Sequence, residues 1–174
     1  MAIGNVSQVM ARAGATALRD MRSEARKRIK LRKAIKASKI GKVLKLSRPT
    51  SKVVPGINSE WRLDVLGGVT RVSDYSYRKT REGVAVTINR GEKSLIRSAF
   101  VATMKSGHKG VFVRRGPARL PILEPLASRP VDALLHPGEA EGVADRGARS
   151  FRATFERLGG DARVLLAGLT RRIE

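Results

Sequence analysis

The chain has 174 residues, of which 41% are hydrophobic, only 4% are aromatic and none is cysteine, and its formal net charge is +21. This length accommodates one ordinary domain with an extension, and the lack of cysteine excludes disulfides, thiolate metal sites and a cysteine nucleophile. No apolar run approaches the roughly 18 residues of a membrane span, and the first residues lack the features of a signal peptide. We therefore expect a soluble protein, made and assembled in the cytoplasm, with no membrane partner.

A helix is predicted at the N-terminus. Asn5 and Gln8 resemble a capping box, which places the start of the helix near Val6. Apolar residues then recur at helical spacing and form one stripe: Val6, Met10, Ala13, Ala17 and Met21. The pattern predicts that the helix continues, or resumes after a bend, until Gly41.

Positive charge is concentrated in the same region. Between Arg22 and Arg48 there are 12 Lys or Arg residues against the single acid Glu24. We interpret residues 1–47 as a basic helical arm whose deletion leaves a soluble body. Such an arm suits either the phosphates of DNA or an acidic, ring-shaped protein neighbour, and these alternatives stay open. The predicted contact residues are Arg22, Arg26, Lys27, Arg28, Lys30, Arg32, Lys33, Lys36 and Lys39.

Residues 48–126 have the pattern of short strands separated by turns. Apolar residues alternate with other residues in two places, at Trp61, Leu63 and Val65 and at Val84, Val86 and Ile88. Residues 70–82 are polar and predict an exposed loop or hairpin. Further strands are expected at 95–104, 111–113 and 120–123, the last with Pro121 at an edge position. The expected body is one small antiparallel sheet of four or five strands.

Residues 127–174 return to a helical pattern. A short helix is predicted to begin at Ser128 or Pro130 and to end at Pro137. The next helix has one apolar face, formed by Val143, Gly147, Phe151, Phe155 and Leu158, and Asp161 is placed to cap a final helix. The predicted fold class is therefore α+β, with the C-terminal helices packed on the sheet of residues 48–126.

Few residues have the chemistry of a catalytic or metal site. Ser106 and His108 are a nucleophile and a base by type, but they lie two residues apart in a turn with no evident third group to orient the imidazole. His136 precedes a proline in a predicted loop. Two histidines without cysteine or clustered carboxylates do not indicate a metal site. The sequence predicts no enzymatic activity, no metal and no cofactor.

Residues 99–122 read AFVATMKSGHKGVFVRRGPARLPI, and they place a strand, a Gly turn, a second strand and a basic Gly-Pro turn in one unit. This order resembles the central block of the phage minor tail protein Z family, a group of tail-completion and head–tail junction proteins. The resemblance covers residues 84–135. Where relatives usually have a Gly-Pro-Ser-Val-like turn, this chain has Ala127-Ser128-Arg129-Pro130-Val131.

Within this block we assign structural roles to the motif residues. Phe100 and Phe112 are expected to be core anchors on adjacent strands. Tight turns or a close backbone approach explain glycine at 107, 110 and 116. The motif residues are Phe100, Gly107, Gly110, Phe112, Gly116, Leu120 and Pro121.

The resemblance implies a structural virion protein of a tailed phage or phage-like particle. Such a protein completes the tail at its head-proximal end and joins it to the neck, as part of a ring around the DNA channel. The implied partners are further copies in a hexamer or a multiple of it, the neighbouring tail terminator or tube, neck or connector proteins, and DNA in the channel. The alternative from charge is a stand-alone, sequence-independent nucleic-acid-binding protein, although no recognised nucleic-acid-binding motif is present.

Overall fold

The computed structural model describes residues 3–48 and 60–158 of the chain. These residues form two compact units, the first containing 3–25, 44–48, 60–64 and 138–158 and the second containing 26–43 and 65–137. Each unit draws on more than one of the predicted segments 1–47, 48–126 and 127–174.

The described residues contain helices and strands. The α-helices are α1 (Ile3–Arg32), α2 (Ala37–Val43) and α3 (Glu139–Arg157). The strands are β1 (Leu44–Ser47), β2 (Arg62–Val65), β3 (Ser76–Lys79), β4 (Gly83–Thr87), β5 (Ser94–Arg97), β6 (Phe100–Thr103), β7 (Lys109–Arg114) and β8 (Ile122–Leu123). Two 3₁₀ helices cover Val72–Asp74 and Pro130–Ala133. The fold class is α+β.

Three small sheets replace the single sheet that we expected. Within the described residues, β1 pairs with β2, the order of the second sheet is β3-β4-β5, and that of the third is β6-β7-β8. The expected strand at 95–104 is interrupted because Ser98 takes a positive φ of 58°. The chain turns there, so β5 pairs with β4 while β6 pairs with β7. The prediction of four or five strands in one sheet is therefore wrong.

In the first unit, the apolar stripe of α1 packs against the apolar face of α3. Val9, Ala13 and Phe155 form a buried cluster, and partly buried Met10, Phe151 and Leu158 pack around it. Both apolar faces were predicted from the helical period. α1 begins at Ile3 and not near Val6, so the capping box does not mark its N-terminus. The residues between Ile3 and Val6 include no proline that would stop the helix.

In the second unit, the segment 33–36 interrupts the helical region. α1 ends at Arg32 and the helix resumes as α2, which confirms the bend; α2 continues past Gly41 to Val43. Inside the interruption, Lys33 forms a bridge with Asn89 and Ile35 forms one with Tyr75. Residues 33–35 thus lie where β3 and β4 separate.

The polarity of the stretch 70–82 predicted a loop or an exposed hairpin. The structure has the hairpin from β3 onwards, but residues 72–75, just before β3, are buried. Val72 and Tyr75 are 1% and 0% exposed, and β3 forms the first strand of a hairpin with β4. The polar residues are tolerated because their polar atoms are hydrogen-bonded: the Tyr75 hydroxyl, for example, donates to the Ser128 carbonyl at 3.0 Å. Only the end of this stretch is an exposed turn.

Residues 1–47 were interpreted as a removable arm, and this interpretation is wrong for the described part. Their buried side chains belong to the cores of both units; in the first these include Leu18, Ala25 and Leu44, and in the second Ile29, Ile35, Ile40 and Val43. Deleting 1–47 therefore removes core residues. Burial of this kind contributes about 1.5–3 kcal/mol per large apolar side chain, so the deletion is expected to destabilise the remaining body.

Two predictions about the C-terminal region can be compared with the structure. The short helix near residue 130 is present as a 3₁₀ turn, and the longer helix is α3. The predicted cap at Asp161 and the final helix lie outside the described residues. Among the described helices, none combines the length and apolar character needed to cross a bilayer.

Gly14 of α1 faces the indole ring of Trp61, and a Cβ at position 14 would overlap that ring. We expect Gly14→Ala to lower the free energy of unfolding, because overpacking costs about 1–3 kcal/mol while helix propensity returns at most about 1 kcal/mol. Urea denaturation followed by circular dichroism measures this change.

The matched control is Gly147→Ala in α3, where the added Cβ would lie 2.5 Å from Cγ of Met21. Methionine is flexible and can move aside, so this substitution should cost less than Gly14→Ala. Equal stability losses, or a gain at Gly14, would contradict the assigned role of Gly14.

Candidate functional site

The nine basic residues predicted as contacts occupy three different environments. Lys33 is buried. Three others are half-buried: Arg22, Arg28 and Lys39. The remaining five are exposed: Arg26, Lys27, Lys30, Arg32 and Lys36. The structure therefore does not present the nine residues as one solvent-facing surface.

Lys33 is the centre of a polar network inside the second unit. Its Nζ donates to Asn89 Oδ1 at 2.8 Å and to Ser128 Oγ at 3.1 Å. The Ser128 carbonyl in turn accepts from Tyr75 and from Thr70, at 3.0 and 2.6 Å. An ammonium group can be buried at tolerable cost only when its donors are used in this way.

Lys36 and Lys39 contact the 3₁₀ helix at Val72–Asp74. Lys36 Nζ donates to the Ser73 carbonyl at 2.6 Å and lies 5.2 Å from the centre of the Tyr77 ring. Lys39 Nζ forms a 2.7 Å ion pair with Asp74, whose side chain is only 12% exposed. These two lysines, like Lys33, stabilise the unit internally, and the sequence alone could not separate them from the outward-facing cations.

The outward-facing cations lie at the C-terminal end of α1. Arg26, Lys27 and Lys30 are exposed there, and the turn between β4 and β5 adds Arg90. The Arg90 amide donates to the Arg32 carbonyl at 2.8 Å, and its guanidinium Nε donates to the Lys30 carbonyl. Arg90 thus satisfies carbonyl groups at the helix end and places a further positive charge beside it. We call Arg26, Lys27, Lys30 and Arg90 the basic surface.

The block that carries the family resemblance folds around one aromatic pair. Phe100 of β6 lies directly opposite Phe112 of β7, with ring centroids 6.2 Å apart. Phe112 is buried and Phe100 is half-buried, while the Arg114 guanidinium lies 5.5 Å from the centre of the Phe100 ring. The two phenylalanines therefore lie on adjacent strands, and of the two only Phe112 belongs to the buried core.

The motif glycines have different reasons to be glycine. Gly107 has a positive φ of 79° in the β6–β7 turn, and a Cβ at Gly110 would lie 2.8 Å from Glu124 Oε1 and 2.9 Å from Phe112 Cζ. Both agree with the expected turn or close approach. Gly116 meets open space and has no positive φ, so the reason given for glycine there is wrong. It lies in an exposed loop whose surface imposes no such constraint.

Leu120 and Pro121 belong to that loop between β7 and β8. The peptide bond joining them is cis, and both residues are exposed. The strand that follows, β8, is shorter than the predicted 120–123 and leaves Pro121 just outside the ladder. Pro121 has no amide hydrogen to donate, which fits this position.

His108 belongs to a polar cluster that sequence reasoning missed. The Glu124 carboxylate accepts a hydrogen bond from Ser73 Oγ at 2.6 Å and forms an ion pair with Arg71 NH1 at 2.9 Å. It also contacts His108 Nε2 at 3.1 Å. The carboxylate thus lies between the hydroxyl and the imidazole, whereas nucleophilic catalysis needs the base beside the hydroxyl. Ser106, the hydroxyl considered from sequence, is exposed in the turn. The arrangement ties three segments together and offers no activated nucleophile.

Metal-ligating side chains are not clustered in the part of the chain that the structure describes: no group of three or more His, Cys, Asp or Glu residues there has the geometry for an ion. His136, the second histidine, is exposed after the second 3₁₀ helix.

Large apolar side chains are exposed on two neighbouring segments of the second unit. The segment 69–71 runs antiparallel to 126–128, through a bridge between Arg71 and Leu126 and a 2.8 Å hydrogen bond from the Ala127 amide to the Thr70 carbonyl. On these paired segments Val69 and Leu126 are 53% and 66% exposed. Elsewhere in the same unit four further leucines are 41–73% exposed: Leu66, Leu120, Leu123 and Leu135. We call these six residues the apolar surface.

Comparison of the chain with protein-family models, with curated proteins and with solved structures returned no match.

The network around Lys33 makes a stability prediction. We expect Lys33→Met to lower the free energy of unfolding by about 1–3 kcal/mol, because Asn89 and Ser128 lose a buried partner. Lys30→Met, on the exposed face of the same helix, should change it by no more than about 0.5 kcal/mol. Thermal and urea unfolding of the two variants measure the difference. Equal losses in the free energy of unfolding would show that the buried Lys33 amine stabilises the fold no more than the exposed Lys30 amine does.

Proposed function

We propose that the chain is a structural virion protein of a tailed phage or phage-like particle. In this role it completes the tail at its head-proximal end and joins it to the neck, as one subunit of a ring around the DNA channel. The ordered block at residues 99–122 supports the proposal, because it resembles the corresponding block of the minor tail protein Z family. Its two phenylalanines and its turn at Gly107 form a hairpin that gives a subunit a rigid surface.

The apolar surface is the observation that carries the proposal. In a chain of net charge +21, six large apolar side chains of one unit are exposed, and two of them, Val69 and Leu126, lie on paired segments. Contact with another protein would remove this apolar area from water. Contact with nucleic acid backbones uses cations and does not require leucines. A protein neighbour therefore accounts for this surface better than nucleic acid does, and a second copy of the chain or an adjoining tail or neck protein is the occupant we expect.

The basic surface supports the alternative, a stand-alone protein that binds nucleic acid without sequence preference. Its four cations lie at the end of α1 and in the adjoining turn, where the Arg90 guanidinium donates to the Lys30 carbonyl. Cations in this arrangement suit phosphates, and they equally suit an acidic face on a neighbouring subunit. The two functions differ in whether the protein is a fixed component of a particle.

Protein mass spectrometry of gradient-purified, nuclease-treated particles tests the proposal. We expect a constant copy number close to a multiple of six. Leu126→Glu should prevent incorporation, because a carboxylate in a covered apolar contact loses its hydration. The control, Leu95→Glu, places the same charge on exposed β5, outside the apolar surface, and should leave incorporation unchanged.

Absence of the wild-type chain from particles, with recovery in a nucleic-acid-bound fraction, would reject the proposal and favour the alternative. Loss of incorporation by both leucine variants would point to a general defect, so circular dichroism of each variant accompanies the measurement.

The basic surface makes a separate prediction about salt dependence. If it binds DNA, the triple variant Arg26→Gln, Lys27→Gln, Lys30→Gln should reduce the slope of log K against log salt by about 2–3, since each phosphate contact contributes about 0.9. A variant with the same charge change on the β3–β4 hairpin, Arg78→Gln, Lys79→Gln, Arg81→Gln, is the control. Fluorescence anisotropy with duplex DNA gives both slopes, and equal reductions would exclude a localised basic surface.

A further inference from the structure

A cavity of about 430 Å³ lies between α1 and α3 in the first unit. Its charged lining consists of Asp20 from α1 and of Arg146, Arg149 and Arg157 from α3. The three arginines share one face of α3, because at 3.6 residues per turn their positions fall within an arc of about 80° around the helix axis. The apolar face formed by Phe151 and Phe155 lies beside it and packs towards α1.

The charge in this cavity is unbalanced. Asp20 is the single acid of the lining; its carboxylate accepts from Ser150 Oγ at 2.7 Å and lies 3.7 Å from the Arg146 guanidinium. Arg149 and Arg157 make no ion pair within the described residues. Two guanidinium groups that border the cavity therefore have no carboxylate partner among the described residues. Asp20, the acid of the lining, is already bound by Ser150 and Arg146.

Hydroxyl groups complete the lining. Thr16 and Thr154 border the cavity together with Ser150, and Thr154 is only 7% exposed. The Thr16 hydroxyl also lies 3.4 Å from the guanidinium of exposed Arg19, which adds a further cation at the rim. The site thus offers several donors from two helices around one space.

We propose that this cavity binds phosphate groups, as a polyphosphate or as the phosphodiester backbone of a nucleic acid. Arginine presents paired donors that match phosphate oxygens. The Ser150 hydroxyl already donates to Asp20 and the Thr16 hydroxyl to the Arg12 carbonyl, so the arginines supply the donors for phosphate. The volume lies in the range of small-molecule sites and exceeds what a single carboxylate fills. No aromatic side chain is in the lining, so the site has no surface for stacking a base and recognises the phosphates alone. The proposal does not depend on the assembly role.

Isothermal titration calorimetry of the full chain with sodium tripolyphosphate, at constant ionic strength, tests the site. Arg149→Gln should weaken binding about tenfold or more, as loss of a charge-assisted hydrogen bond predicts. Arg152→Gln is the matched control: Arg152 is exposed on the same helix, outside the lining, and its loss removes the same charge. It should change the affinity less than about twofold, because Arg152 lies outside the lining and acts on the bound phosphate only through screened, longer-range charge.

A variant with the opposite expected sign guards against unfolding as the explanation. Asp20→Asn keeps a hydrogen-bond acceptor for Ser150 and removes the one negative charge of the lining. It should strengthen tripolyphosphate binding about twofold to fivefold, the range of an exposed charge pair. A damaged fold weakens binding, so a gain reports the site itself.

Parallel titrations with a short oligodeoxythymidylate identify the source of the phosphate. Binding of either probe that weakens in Arg149→Gln and persists in Arg152→Gln supports the site, and the probe that binds names the source. Equal losses in both variants, or no binding of either probe, would overturn the proposal. Tighter binding of a short polyglutamate than of both phosphate probes would also overturn it, in favour of a carboxylate ligand.

Discussion

The ammonium group of Lys33 is buried in the second unit, where Asn89 and Ser128 accept its hydrogen bonds. A buried cation is stable only when all its hydrogen-bond partners are in place. A buried polar group left without a partner costs more free energy than one hydrogen bond contributes. The end of α1, the β4–β5 turn and the segment before the second 3₁₀ helix are joined by this requirement. The backbone of residues 33–35 reinforces it by lying between Asn89 and Tyr75.

This constraint divides the many cations of the region between interior and surface. With Lys33 inside, Lys36 and Lys39 are directed to the 3₁₀ helix at Val72–Asp74, where a carbonyl and a carboxylate receive them. The exposed cations of the region include those of the basic surface. Thr70 and Tyr75 donate to the Ser128 carbonyl, which aligns the segments that carry much of the apolar surface. One buried network thereby positions both proposed interaction surfaces.

The first unit uses basic residues differently. Its core is the contact of α1 with α3, where Gly147 allows Met21 of α1 to approach closely, while Gly14 of α1 packs against the Trp61 ring. The arginines on α3 lie beside this contact and face the cavity, where Asp20 balances only part of their charge. The positive charges of the chain therefore fall into three groups. Some are held in contacts within the second unit, some form the basic surface, and some line the cavity between α1 and α3.

Local pattern determined much of this protein: the apolar stripes of α1 and α3, the strand at Val84 and Val86, and the pairing of Phe100 with Phe112 across a short turn. These features follow from helix and strand periods over a few residues. The burial of Lys33, the covered position of Tyr75, the cluster around Glu124 and the three separate sheets depended on tertiary structure. The partners of Lys33 lie 56 and 95 residues away in sequence. No local period relates residues at such separations, so only the folded chain decides which cations are enclosed and which face outward.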